Sequence, residues 1–570
     1  MSAPAPPPGR RLYIMSDAGK PIWASTTEPE HALAPLAGLV TAVLGFAASG
    51  GDALKAVVAG TTSAVVIVRG AVVLLAVSPY GETEAFLALL LEALYHQILF
   101  TLTGAVQKKL RASASYDLRD LLGGTQPVLA GLVKQGHADA GLMAGAVKAF
   151  PLEPRHRAEA GRVLVACRAG TGQDVLYGVL LVGGRVLTVL QPKEPLAHRL
   201  QPADLRLMVN FVQSQSSSLK GTESWTPLCL PRFNANGYLY SYVGYVDEPS
   251  DLCLMLVSAQ KSPDTFLTFQ TWKGAITDAL EREGVIQAVR QSKALAARPG
   301  NGDDKFLNSY AQLTQQAAAV AAAQPSNAAR TAAAASGGAM SAAGHVASQE
   351  AYANAVARAD VAATAADLAS QHKPLHFLYM HRPGSMTKVG ARSLGTSSGS
   401  SAAKAAAAAS GSLTKSSSLT GLGSEPSLPQ YICPAQPAFP YSASEESAMC
   451  ACVSLQESVL RLRHHSILPE ATLAAPTVLA AAPNSASGSV GASAEQPVAA
   501  AIFECEPVNP VCVHRSALSV VVGLSGDGYE LHALFPSSLQ PAEALAAAQH
   551  LIAAIHQEAP SLFIDRPPAY

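Results

Sequence analysis

The sequence predicts an α+β protein, with α and β elements mixed along the chain, in which three units each hold an antiparallel sheet flanked by helices. Short apolar runs of strand length, rich in Val, are bounded by turn residues and alternate with long apolar helical stretches. The order of two strands, a helix, three strands and a helix occurs twice, and a third time with interruptions. Because the links between successive strands are short, antiparallel pairing is favoured over parallel pairing.

The first unit is predicted over residues 11–150, after a short disordered N-terminus at residues 1–10. Two extended runs flank a turn in which Gly19 can adopt a positive φ, and a helix follows from Glu28 to Ala48. Three Val-rich strands and a closing helix come next, at Leu54–Gly60, Ser63–Arg69, Ala71–Val77 and Glu82–Thr103. Further helical sequence is predicted at Tyr116–Leu122 and Pro127–Phe150, and it extends this unit as far as Phe150.

The second unit is predicted over residues 154–290 and repeats the plan of the first. Gly183 and Gly184 form a two-residue hairpin signature between its first two strands. Its elements are expected at Val175–Val182, Arg185–Gln191, Gln201–Gln215, Thr226–Pro231, Gly237–Val246, Leu252–Val257 and Phe266–Val289. Since Pro227 and Pro231 lack backbone donors, the strand that contains them is expected at a sheet edge.

The third unit is predicted over residues 371–570, after an Ala-rich linker at residues 291–370. Two low-complexity insertions, at about residues 385–427 and 469–496, interrupt this unit. The linker and the two insertions contain few large apolar residues. They cannot bury enough apolar surface to fold, so they are expected to be disordered. The structured part is expected at Leu375–Tyr379, Ser442–His465, Ala517–Gly523, Tyr529–Phe535 and Pro541–Gln557.

Charge and composition exclude several classes of protein. Lys and Arg number 40 against 41 Asp and Glu, which argues against a nucleic-acid binder that relies on a broad basic face. The eight cysteines are scattered and no secretory signal begins the chain, so reduced thiols in the cytoplasm are expected. The uncharged stretch Ala32–Gly51 is long enough to span a membrane, but Pro35 and its many small residues favour a soluble helix.

Motifs for enzymatic chemistry are weak. A G-x-S-x-G match at residues 395–399 lies in low-complexity sequence, without the strand and helix that a nucleophile elbow needs. Cys450 and Cys452 precede a His pair, but the C-x-C spacing is tighter than that of structural zinc sites. The basic run at residues 155–157 is interpreted as a solvated helix end, with contact to an anionic surface as the alternative. The sequence therefore favours a binding protein over an enzyme, and no catalytic, cofactor-binding or metal-binding residue is predicted.

Four stretches occur in the order and spacing of the Mon/SAND family, across roughly Arg11 to Gly284. They are LYIMSDAGKPIW (Leu12–Trp23), YDLRDLLGG (Tyr116–Gly124), SWTPLCLPRFNANG (Ser224–Gly237) and DLCLMLVS (Asp251–Ser258). The third unit matches more weakly, at PLHFLYMHRPG (Pro374–Gly384) and LFIDRPPAY (Leu562–Tyr570). The chain therefore resembles the Mon/SAND family, the Mon-one type subunits of a vacuolar fusion complex.

This resemblance implies three longin domains and a heterodimer with a Ccz-one type longin subunit, paired through the first longin domains. It also implies a guanine nucleotide exchange factor for a Rab-seven class GTPase. In the family, a Rab-five class GTPase and anionic phosphoinositide membranes recruit the complex to late endosomes, the prevacuolar compartment and the vacuole, and no cofactor is needed. The chain departs from the family in its short N-terminal extension, its Ala-rich linker and its two insertions.

The resemblance places contacts to the partner or the Rab on the sheet and first helix of the first domain. Asp17, Lys20 and Trp23 at the first hairpin are candidate contacts, and the alternative is a solvated turn with Trp23 in the core. Trp225 is a candidate anchor for a recruiting GTPase, with Arg232 as a charged rim, and the alternative is packing under a helix. A longin-domain trafficking adaptor or scaffold without exchange activity is the alternative function, because both proteins would use the same surfaces.

Overall fold

A computed structural model describes residues 9–296 with short gaps, and seven later segments. The gaps are residues 27, 29, 113–118, 120, 139–140, 172–174 and 194–197, and the later segments are 374–381, 428–432, 453–459, 511–515, 519–526, 528–564 and 567–569. The predicted linker from residue 297 onward and both predicted insertions lie outside the described residues.

The first unit contains one five-stranded antiparallel sheet with a long helix on each face. Its elements are β1 (Arg11–Ser16), β2 (Pro21–Ala24), α1 (Glu30–Ser49), β3 (Ala56–Ala59), β4 (Thr62–Arg69), β5 (Val72–Ser78) and α2 (Glu84–Leu102). The strands lie in the order β2-β1-β5-β4-β3, and every neighbouring pair is antiparallel. The predicted order of elements is therefore the observed one in this unit.

The connection between the first two units differs from its prediction. It contains α3 (Ala105–Ala112), α4 (Gln126–Ala138), α5 (Gly141–Ala144), β6 (Val147–Lys148) and α6 (Pro154–Thr171). The predicted helix over Pro127–Phe150 is wrong in its last part, where the chain extends to pair with another strand. The 18-residue helix α6 was not predicted, because its mixed sequence shows no clear apolar stripe.

The second unit repeats the fold of the first. It contains β7 (Tyr177–Val182), β8 (Arg185–Leu190), α7 (Pro202–Ser214), α8 (Ser216–Leu219), β9 (Glu223–Leu228), α9 (Pro231–Asn234), β10 (Leu239–Asp247), β11 (Leu252–Ser258), α10 (Pro263–Arg282) and α11 (Val285–Ala296). The strand order is β8-β7-β11-β10-β9, so β9 lies at an edge of this sheet. The strand predicted to end at Pro231 in fact ends at Leu228, and Pro231 begins α9, where its missing N–H costs no helical hydrogen bond.

The described part of the third unit has the same strand order as the other two sheets. Its elements are β12 (His376–His381), β13 (Gln430–Ile432), α12 (residues 453–459), β14 (Val511–Arg515), β15 (Ser519–Gly526), β16 (Tyr529–Pro536) and α13 (Pro541–Leu562). The sheet order is β14-β15-β16-β12-β13, with β6 added in parallel beside β13. The α+β class with antiparallel sheets flanked by helices is thus confirmed, although β6 adds one parallel pair.

The helix α2 is the central element of the molecule. Ile14 and Leu74 of the first sheet pack with Phe86 and Leu90 of α2 in one core cluster. On its other side α2 contacts α4, α5 and α7. Other elements therefore cover α2 on most sides, and little of the helix faces solvent. Its sequence is apolar on nearly every side for this reason, because charged side chains need a solvent-exposed face.

Arg157 joins the second and third units and corrects one sequence interpretation. Its side chain is buried, and its guanidinium donates to the carbonyl oxygens of Leu187 (2.9 Å), Phe150 (2.8 Å) and Ser561 (3.0 Å). The interpretation of residues 155–157 as a solvated helix end is therefore wrong for Arg157. Its five donors can bind several carbonyl oxygens at once, which no lysine could do in this geometry.

Candidate partner interface

The outward side of α1 is apolar and exposed. Leu36 and Ala37 face the first sheet, where they pack with one of its core clusters. Leu39, Val43 and Phe46 lie on the other side of the helix and are 62%, 40% and 80% exposed. Their spacing of i, i+4 and i+7 places them in one stripe along the helix. An exposed apolar stripe of this kind is typical of a surface that binds another protein.

The sheet beneath α1 is also partly uncovered. Val57 of β3 pairs with Ala64 of β4, so the two side chains point to the same face of the sheet. Val66 and Val68 alternate with the same period, and Val66 packs in the core cluster that contains α1. Val57 and Val68 are nevertheless about half exposed. We use the term α1 surface for the five residues Leu39, Val43, Phe46, Val57 and Val68.

Two described helices are long and apolar enough to cross a membrane by length and composition alone. In α2 more than half of the apolar window is buried, as expected for the core helix of a soluble protein. In the window His31–Ser49 of α1 only 6% is buried. The uncharged stretch of α1 is therefore the signal from which the sequence could have identified this surface.

Only some of the contact residues predicted at the first hairpin are accessible at the protein surface. The turn itself lies against α1, since a Cβ on Gly19 would come within 3.1 Å of the Thr41 hydroxyl. Asp17 is exposed and Lys20 is half-buried, and both belong to this turn. Trp23 is only 6% exposed and belongs to the core cluster beneath α2, which contradicts its prediction as a contact residue. Trp23 pairs with Ile14 across the strands, and that pairing turns the indole towards α2.

Trp225 lies on the edge strand β9 and is half-buried. Its ring stacks on Tyr240 at 5.9 Å between centroids and meets Phe266 and Phe269 of α10 edge to face, at 6.2 Å and 5.9 Å. These contacts agree with the alternative of packing under a helix, although part of the indole is still accessible. The expectation of an edge strand here is confirmed by the sheet order.

Arg232 is exposed on the short helix α9, and a buried carboxylate holds that helix in place. The backbone N–H groups of Arg232 and Phe233 donate to Asp204 of α7, each at 3.2 Å. Burial raises the pKa of Asp204 from 3.8 to about 6, although these hydrogen bonds and the Arg232 charge oppose the rise. A carboxylate at the N-terminus of a helical turn thus fixes the loop that follows β9.

This carboxylate should make stability depend on pH. Since the folded-state pKa of Asp204 lies above its unfolded value of 3.8, its stabilising effect is present below pH 4 and is lost as the pH rises through 6. We compare the wild type with the Asp204→Asn variant. Between pH 4 and pH 8, the unfolding free energy of the wild type is expected to fall by about 2 to 3 kcal/mol more than that of the variant. Denaturant unfolding across that range measures the difference. The exposed Asp264→Asn variant is the control, and a difference constant with pH would contradict the prediction.

The third unit contains a Ser, His and Glu array that sequence analysis missed. Ser458 Oγ lies 2.8 Å from His532 Nδ1, and His532 Nε2 lies 2.8 Å from Glu530 Oε1. The three residue types are those of a hydrolase triad. However, each of the three residues is at most 1% exposed, so a substrate could not reach the hydroxyl group. This array is therefore a buried polar link between α12 and β16.

Within the part of the chain that the structure describes, no other candidate for chemistry gives a site. Among the residues that the structure describes, no group of three or more His, Cys, Asp or Glu could hold a metal ion. The G-x-S-x-G match at residues 395–399 and the pair Cys450 and Cys452 lie outside the described residues.

Comparison with known proteins agrees with this architecture. The first longin domain of FUZ, MON1 and HPS1 matches residues 10–132, and the second longin domain of the same proteins matches residues 173–278. The vacuolar fusion protein MON1 of Yarrowia lipolytica is 34% identical over 287 residues, and MON1 homolog B of Homo sapiens is 33% identical over 290 residues. The matched part of the chain is similar to the MON1/SAND family. Its first two units are longin domains.

The similarity to the MON1/SAND family has a limited extent. The alignments to the Yarrowia and human proteins cover 50% of this chain and 51% of each relative. MON1 of Cryptococcus neoformans is 30% identical over 285 residues, which is 44% of that protein. The chain thus spans about half the length of the curated relatives it matches. Both the α1 surface and Trp225 lie within the matched longin domains.

Proposed function

We propose that this chain is a MON1-type subunit of a heterodimeric guanine nucleotide exchange factor for a Rab-seven class GTPase. It would act in the cytoplasm and peripherally on late endosome, prevacuolar and vacuole membranes, in trafficking and fusion. The names of its relatives as vacuolar fusion proteins support this role. The sequence resemblance to the Mon/SAND family supports the finer assignment to Rab exchange.

The observation that carries the proposal is the α1 surface of the first longin domain. Five exposed apolar side chains on one side of this domain would be costly to leave in water, and they fit the first longin domain of a Ccz-one type subunit. Edge strand β3 adjoins this side and can extend the contact. Asp17 and Lys20 belong to the turn that lies against α1 and would give the contact a polar rim.

Exchange needs no residue that makes or breaks a bond. A Rab GTPase holds its nucleotide with loops that rearrange when the nucleotide leaves, so a protein that binds the emptied form more tightly loosens the nucleotide. An acceleration of about 10³ to 10⁵ requires about 4 to 7 kcal/mol of differential affinity. A protein interface of ordinary size can provide that difference.

The third unit is proposed to be a third longin domain. Its sheet order from β14 to β13 repeats the order of both matched longin domains, and α13 packs against its sheet as α2 and α10 do in theirs. The predicted boundaries of residues 371–570 stand as a proposal. Contact with anionic phosphoinositide membranes is likewise proposed from the family resemblance.

Recruitment by a Rab-five class GTPase is proposed at the edge strand β9. The accessible part of Trp225 and the exposed Arg232 lie on the two consecutive segments β9 and α9. Indole rings contribute strongly to protein interfaces, and arginine is enriched there. The edge of β9 can also accept a strand from a partner.

A Trp225→Ala variant is therefore expected to bind a GTP-loaded Rab-five class GTPase at least about tenfold more weakly than the wild type. It should also unfold more easily, by about 2 kcal/mol, because the ring packs on Phe266 and Phe269. Biolayer interferometry measures binding, and the Trp225→Phe variant separates the indole contact from packing. Leu39→Ala is the control, and unchanged binding by Trp225→Ala would contradict this site.

The function itself is tested by the release of a fluorescent guanine nucleotide from a Rab-seven class GTPase. We expect accelerated release when the chain is combined with a Ccz-one type longin subunit, and none with the chain alone. Release by the lone chain would contradict a composite site. If a verified heterodimer gives no release, the alternative of an adaptor or scaffold without exchange activity is favoured instead.

A further inference from the structure

Hydrogen bonds join the end of α2 to the segment that surrounds α9. The N–H of Cys229 donates to the carbonyl oxygen of Phe100 at 2.8 Å, and the Tyr238 hydroxyl donates to that of Thr101 at 3.2 Å. The ring of Phe100 is buried in the core cluster of the second unit. The last turn of this first-unit helix is therefore held by the second unit, next to the proposed recruitment site.

The backbone is strained directly after α2. Thr103 has a φ of 59°, in the left-handed region, and Asp251 is the only other described residue besides glycine with a positive φ. Because its Cβ is branched, threonine adopts this conformation only where surrounding contacts hold it. Thr103 is 2% exposed, and the N–H of Gly104 donates to the carbonyl oxygen of Ala235 at 2.6 Å. Contact with the second unit thus maintains a conformation that is unfavourable by itself.

A series of hydrogen bonds runs from this junction to the first hairpin. The N–H of Gln107 donates to the carbonyl oxygen of Gly104 at 3.1 Å, in the first turn of α3. The side-chain amide of Gln107 donates to the carbonyl oxygen of Arg69 (2.8 Å) and accepts from the N–H of Ala71 (2.9 Å). The carbonyl oxygen of Ala71 accepts from the N–H of Asp17 at 3.1 Å. We call these bonds, together with the bond that Gly104 donates to the second unit, the α3 path.

The amide of Gln107 is fixed against the turn between β4 and β5. A Cβ on Gly70 would come within 2.2 Å of its Oε1, so the amide passes directly over this glycine. Its Nε2 also donates to the Tyr95 hydroxyl at 3.2 Å. A displacement at the junction therefore displaces this turn as well, since packed and hydrogen-bonded groups move together.

We propose that the α3 path couples the recruitment site at β9 to the pairing surface of the first longin domain. A partner bound at Trp225 and α9 orders the segment that bonds to Gly104, and the path transmits this order to Asp17 in the turn that lies against α1. A second partner then binds a segment that is already ordered, which gives positive cooperativity. Gln107 is a positioning residue, because it belongs to neither contact surface. This inference rests on the proposed pairing and recruitment, but not on exchange activity.

The coupling is measured as a change in affinity. Biolayer interferometry gives the Kd of a GTP-loaded Rab-five class GTPase for the full chain, first alone and then in complex with a Ccz-one type subunit. We expect the complex to bind the GTPase at least about fivefold more tightly than the lone chain. Equal affinities, or no binding of the GTPase in either state, would overturn the proposal.

Two variants assign the coupling to the α3 path. Gln107→Met removes both hydrogen bonds of the amide, and we expect it to bind the GTPase equally well with and without the Ccz-one type subunit. Tyr238→Phe removes the hydroxyl bond to Thr101 at the protein surface and should reduce the fivefold difference. Ile98→Val lowers stability within the core around α2 without touching the path, and as the control it should keep the difference. A difference that persists in both path variants would overturn the proposal.

Nucleotide release from the Rab-seven class GTPase is measured on the same samples. Coupling without release would support the α3 path and contradict the exchange function. Release without coupling would support the exchange function and overturn the α3 path.

Discussion

The Phe46→Asp variant is expected to pair with a Ccz-one type subunit about 100-fold more weakly than the wild type, with loss of nucleotide exchange on the Rab-seven class GTPase. Phe46 is 80% exposed in the isolated chain, so its ring makes little contribution to the fold. At an interface the same ring would be buried, and a carboxylate there would be desolvated without a partner. The thermal unfolding midpoint should therefore remain close to that of the wild type, as for other surface substitutions.

Analytical ultracentrifugation of the mixed subunits measures pairing, and fluorescent nucleotide release measures exchange. Leu39→Asp lies on the same stripe of α1 and should have the same effect. Leu267→Asp places the same charge on an exposed leucine of α10 and is the matched control, with pairing unchanged. If Phe46→Asp and Leu39→Asp both pair as well as the wild type, the α1 surface is not the pairing site.

Removing one partner of the buried ion pair between Arg10 and Glu82 should have the largest effect on stability. Both side chains are fully buried. Arg10 Nε donates to Glu82 Oε2 at 2.8 Å, while Ser78 Oγ donates to the same carboxylate at 2.6 Å. Gln456 of α12 reaches Glu82 from the third unit, so the pair also links two units. Arg10→Met would leave a buried carboxylate without its cation, and we expect a loss of about 3 to 5 kcal/mol.

Denaturant unfolding of the two single variants and the double variant measures this effect. The double variant Arg10→Met with Glu82→Leu should lose much less stability than the sum of the single variants, since neither charge is then left unpaired. Arg155→Met breaks an exposed ion pair with Glu153 and is the control, with an expected loss of at most about 1 kcal/mol. A loss for Arg10→Met as small as that of the control would contradict the structural role of the pair.

Much of the fold follows from local signals. The strands of the first two units and their tight turns were predicted within a few residues. Apolar runs of strand length and positive-φ glycines such as Gly19 and Gly184 can be recognised from the local sequence. The edge position of β9 was also predicted, from Pro227. Strand β6 was missed, because its two residues pair in parallel with β13, which lies almost three hundred residues away.

The candidate site was less predictable. Trp23 and Phe46 are both aromatic residues near the start of the first unit, and their sequence neighbours do not show which one is buried. The structure buries Trp23 beneath α2 and leaves Phe46 in solvent. Arg157 follows an arginine and a histidine and looks like part of a solvated run, yet it binds carbonyl groups from two units.

The sequence by itself determined the class of fold, the order of the strands in the first two sheets and, through four motifs, the resemblance to a family. These features depend on periodicity, turn residues and residue identity, which are all local properties of the chain. Only the tertiary structure decided which apolar residues form the α1 surface and which charged residues lie in the core. Burial depends on what packs against a residue, and here the packing partners of Glu82, Arg157 and His96 come from distant parts of the chain.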